Sequence, residues 1–142
     1  MKNRRGEEVK MQDIGALCQE FAHILGGEPN VKHGVCMVER DRPHIKISIL
    51  GRPSHSGLAL HSMWSFESMD SLGRTLNLGE TALLQDEANP FIWHLERHGI
   101  MLTALHNHWL MDNPHLVYAH YASVEEPLSF ARKVAEAFKV LK

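Results

Sequence analysis

The chain has 142 residues, 44% hydrophobic and 23% charged, with 15 Lys and Arg against 17 Asp and Glu. That length supports a core without help from a metal or a disulfide, and a net charge of -2 excludes the broad basic field of a general nucleic-acid binder, so no nucleic-acid partner is expected. No apolar run approaches the roughly 18 residues of a membrane helix, and no apolar stretch follows the basic start MKNRRGEEVK, so no membrane partner and a cytoplasmic location are expected.

Residues 1–10 read as a flexible, solvated tail and 11–142 as a single domain. Ile14, Leu17, Cys18, Phe21, Ile24 and Leu25 recur at helical spacing, and Gly26-Gly27 stops that helix. Stretches 31–40 and 44–50 read as strands around Asp41-Arg42-Pro43, the second with Ile45, Ile47 and Ile49 alternating with polar residues. After a turn-rich loop, 51–57, a strand places Leu58, Leu60, Trp64 and Phe66 on one face and Ala59, His61, Met63 and Glu67 on the other. A further strand covers 75–84. Asp86 then suits the N-cap of a helix burying Ala88, Phe91, Ile92 and Leu95, which ends at Gly99. Residues 100–109 and 115–122 form the last strand pair, and Ser123 with Glu126 reads as a capping box before a helix that starts at Pro127.

Successive hairpins with three helices imply an α+β fold with a mainly antiparallel sheet. Two helix-strand-strand blocks share a layout that a degenerate duplication would explain, although no residue-level repeat accompanies it. Cys18 and Cys36 are too few for a disulfide framework and lack C-x-x-C spacing, so Cys18 reads as a free thiol in the core.

The chemistry-bearing feature is His106-Asn107-His108. Residues two apart on a strand share a face, so both imidazoles can serve one cation, zinc first among the choices. The third donor depends on strand register. If residue 106 faces 118, His120 shares the face; a one-residue slip turns it away and offers His115 instead. Glu67, Glu80, Asp86 and Glu87 are the carboxylates within sequence reach, and His61 is a further member to weigh. Ser54-His55-Ser56 lacks the frame of a nucleophile elbow, and the letters His-Asn-His within one strand do not make the dispersed nuclease finger of that name.

Asp86-Glu87, Asn89-Pro90, Gly99, Thr103 to His108, Pro114 and His120 together resemble the bacterial LppY/LpqO-like family, a domain of unknown function named for mycobacterial lipoproteins. Relatives tend to carry a second His two places after His120, where this chain has Ala122. The resemblance implies a shared fold and a preferred surface around the His-Asn-His strand. The reading is then a small domain in which His106, His108 and His120 hold a divalent metal or a small polar ligand. Any chemistry would be metal-assisted hydrolysis with Glu87 as general base. The rival reading is a non-enzymatic binding or assembly module, homodimeric through surfaces such as Trp93, in which the histidines are structural.

Overall fold

The computed structural model describes the backbone of residues 2–142 and the side chains of 14–142. Helix α1 (Lys2–Leu25) is helical back through most of the stretch expected as a tail. A hairpin of β1 (Glu28–Lys32) and β2 (Val35–Asp41) follows, where a single strand over 31–40 was expected. Its two-residue turn, His33-Gly34, has positive φ at both positions (54° and 76°), the geometry that matches strand twist and that Gly34 adopts without penalty. Next come β3 (Ile47–Ile49), β4 (Arg52–Ser54), the short helix α2 (Gly57–Leu60), β5 (His61–Glu67) and β6 (Thr75–Leu84). The chain closes with α3 (Gln85–Arg97), β7 (Met101–His106), β8 (Asp112–Asn113), β9 (Leu116–Glu125) and α4 (Pro127–Phe138).

Six strands form one antiparallel sheet in the order β1-β2-β5-β6-β9-β7, and β4-β3-β8 form a small second sheet. The α+β class therefore holds, with one short helix and one small sheet beyond the expected elements. The two expected helix-strand-strand blocks part company: 31–40 lies at one edge of the large sheet and the second block's strands at the other, whereas β3, from 44–50, belongs to the small sheet.

Alternation decides the layers. Cys36, Val38, Trp64, Phe66, Leu83, Ala119 and Tyr121 point to one face and are buried with the apolar stripes of α1, α3 and α4. Trp64 Nε1 donates to the Tyr121 hydroxyl at 2.8 Å, and the same hydroxyl lies 2.8 Å from Thr81 Oγ1, so the buried polar tips are paired. Gly79 leaves room for the Tyr121 ring, which a Cβ there would strike. On the opposite face, Ile45, Ile47, Ala59, Leu60, Ala82, Leu116 and Tyr118 form a second cluster, through which β3 and α2 cover one end of the sheet. The rest of that face is open.

Four local expectations need correction. Leu58 and Leu60 lie in α2, not in the strand, which starts at His61, and Leu60 is buried in the second cluster and not beside Trp64 and Phe66. Cys18 is no free thiol: it is bonded to Cys36, because the stripe of α1 packs onto β2 with the two Cα atoms 5.5 Å apart. Helix α3 begins at Gln85 with Leu84 at its N-cap, which places Asp86 inside the first turn. The N-cap of α4 is Glu126 itself, whose carboxylate accepts from the Leu128 and Ser129 N–H groups at 3.3 and 3.1 Å, while Ser123 stays within β9. No helix among the described residues is long and apolar enough to cross a membrane.

Candidate metal centre

The site begins with an irregularity in the last strand pair. Met101 and Leu102 face Ala122 and Tyr121, whereas Ala104, Leu105 and His106 face His120, Ala119 and Tyr118. Thr103 is thus an extra residue, a β-bulge, and it reverses the parity of everything after it. Leu102 packs toward the helical layer, yet His106, also even-numbered, shares the open face with His120. Just past the strand, His108 lies flat on Tyr118, ring centroids 3.7 Å apart and planes within 7°. The structure takes the register in which 106 faces 118.

His106 is 5.0 Å from His108 and 4.8 Å from His120 between ring centroids. One ligand nitrogen from each of the three falls within 4.8 Å of the others. Tetrahedral zinc, with Zn–N near 2.0–2.1 Å, sets its nitrogens roughly 3.4 Å apart, so closure requires side-chain movement of about an ångström. His115 stands outside the group, its Nδ1 2.7 Å from Asp112 Oδ1.

Two more residues join. Glu80 lies opposite His120 on one side and Met63 on the other. Its Oε1 is 3.2 Å from His61 Nε2, 3.4 Å from His120 Nε2 and 3.7 Å from His108 Nε2. Among the described residues, the buried atoms His120 Nε2 and His61 Nδ1 have no hydrogen-bond partner. A buried ring nitrogen that lies 3.4 Å from a carboxylate without a hydrogen bond to it is what a cation would satisfy. The sequence offered Glu80 as one of four carboxylates; only the β6–β9 register singles it out.

Glu87 is engaged elsewhere. It accepts a bidentate pair from Arg42 at 2.8 and 2.9 Å, plus the Leu84 and Lys142 backbone N–H groups at 2.9 and 2.8 Å. Burial pushes its carboxyl up, but the Arg42, Lys142 and Leu84 hydrogen bonds and the Arg42 charge outweigh this and hold it down at about 2. Such an anion is a poor proton acceptor near neutrality. Asp86 pairs with Lys142.

Burial lowers the pKa of His108, Glu80 opposes that shift, and the neighbouring His106, His120 and His61 reinforce it. The ring is therefore favoured in the neutral form that coordinates metal. Tyr118 is pushed up to about 12, mainly by burial, and remains a phenol that donates to the Ala59 carbonyl at 2.6 Å and accepts from Trp109 Nε1 at 2.9 Å. This side of the cluster is walled.

A family model described as Domain of Unknown Function (DUF1259) matches residues 19–140. No curated protein and no solved structure matches the chain.

Proposed function

The chain belongs to the family described as Domain of Unknown Function (DUF1259), and from the site itself we propose that it binds a divalent transition cation, zinc first, through His106, His108 and His120. Within that family we place it with the LppY/LpqO-like proteins, on the segment from Asp86 to His120. The observation that carries the metal reading is the convergence of the three rings, one nitrogen of each within 4.8 Å of the others. Three imidazoles with one side open resemble a catalytic zinc site more than a closed structural one. A cation there supplies Lewis acidity suited to ester, amide or phosphoester hydrolysis. Glu80, not Glu87, is the carboxylate placed to ligate or to accept a proton, and His61 holds Glu80 from the far side. The rival assembly reading draws on Trp93, which is 61% exposed. The Cys18–Cys36 bridge favours an oxidising compartment over the expected cytoplasm.

The test is elemental analysis of protein purified without a polyhistidine tag. Near-stoichiometric metal, lost in His106→Ala and His108→Ala and kept in His98→Ala, is the expected result. Affinity should fall with falling pH, because only neutral imidazoles coordinate the metal. Metal-free protein that folds and dimerises would replace this reading with the assembly module.

A further inference from the structure

The histidine cluster has a wall on one side and none on the other. Tyr118, Trp109 and the small sheet close the side toward Ala82 and Leu116. In the opposite direction, the open face carries successive cross-strand rows. One runs Glu39, Met63, Glu80, His120, Ala104; the next runs Met37, Ser65, Leu78, Ala122, Met101 across the same five strands. The second row is apolar apart from Ser65. Leu78 and Met101 are left exposed, at 44% and 68%. Between the rows lies a groove of about 170 Å³ lined by Met37, Met63, Ser65, Leu78, Glu80 and His120. Metal-site residues and thioether side chains thus border the same small space.

We propose that this groove binds the aliphatic chain of a short acyl compound whose oxygen-bearing head group sits at the histidine cluster. The inference rests on the metal reading above and adds a ligand class to it. A head group at His120 cannot extend toward Tyr118, so its substituent lies across Met63 and Leu78. Those side chains offer a sugar or a second phosphate almost no hydrogen-bonding partner, whereas each methylene laid on them leaves water. The volume is below the roughly 300–1,000 Å³ of pockets for drug-sized ligands, which selects a short chain.

The probe is a series of acetohydroxamate, butyrohydroxamate and hexanohydroxamate bound to the zinc-loaded full chain, read by calorimetry. Kd is expected to tighten roughly two- to fourfold per added methylene until the groove is filled. Leu78→Ser, at a half-exposed position, should flatten that dependence while leaving zinc stoichiometry and the acetohydroxamate Kd unchanged. Stoichiometric zinc with no chain-length dependence in the native protein overturns the acyl groove and leaves the metal site standing. Failure to take up zinc at all overturns both.

Discussion

Arg42 and Glu87 are each almost wholly buried, and their ion pair survives there because nearly every polar atom is matched: Arg42 also reaches the Ala82 carbonyl at 2.9 Å. Removing one partner leaves a buried charge alone, so Glu87→Ala should cost about 3–5 kcal/mol in urea unfolding, with metal content unchanged. The same carboxyl sets a pH dependence. Its folded pKa, about 2, lies below its ordinary value of 4.5, so the folded state binds the proton less readily than the unfolded one. The stability it contributes is present above about pH 4.5 and is lost as pH falls toward 2; urea midpoints across that range should drop in the native protein and drop less in Glu87→Gln. Tyr118→Phe strands the Ala59 carbonyl and the Trp109 N–H, an expected loss of about 1–3 kcal/mol by the same measurement.

At the scale of elements, the bulge at Thr103 decides whether a site exists. Were Thr103 to pair in step with Leu102–Tyr121 and not bulge, His106 would face Val117 and turn toward the helical layer. Inserting an alanine between Leu105 and His106 should therefore turn His106 away from His120 and abolish metal uptake by elemental analysis, whereas deleting Thr103, which leaves His106 opposite Tyr118, should preserve it. This also explains what the sequence disclosed. The stripe from Ile14 to Leu25 and the alternation of Trp64 and Phe66 against His61 and Met63 are local patterns, and they are legible. His-x-His was legible too. The placement of His120 and the choice of Glu80 depend on pairing between strands distant in sequence, which no local pattern encodes. Glu87 had the right residue type next to the right motif, but Arg42, 45 positions away, claimed it. The merging of β1 and β2 into one expected strand has a plainer cause: His33-Gly34 interrupts an otherwise continuous extended pattern in only two residues.

For the whole molecule, the division into a helical face and an open face separates stability from chemistry. The Cys18–Cys36 bridge lies in the helical layer and closes a loop with a sequence separation of 18, for which chain-entropy reasoning gives about 3 kcal/mol. Reduction, or Cys18→Ser with Cys36→Ser, should lower the unfolding free energy by about 2–4 kcal/mol and leave metal affinity measured at 25 °C within about twofold. The three indoles divide along the same line: Trp64 is buried beneath the helices, Trp93 lies under Arg97 at the surface, and Trp109 touches the wall behind His108. Trp109 is consequently a native fluorophore at the open face. A paramagnetic ion such as copper(II) should quench its emission upon entering, giving an optical titration that needs no label.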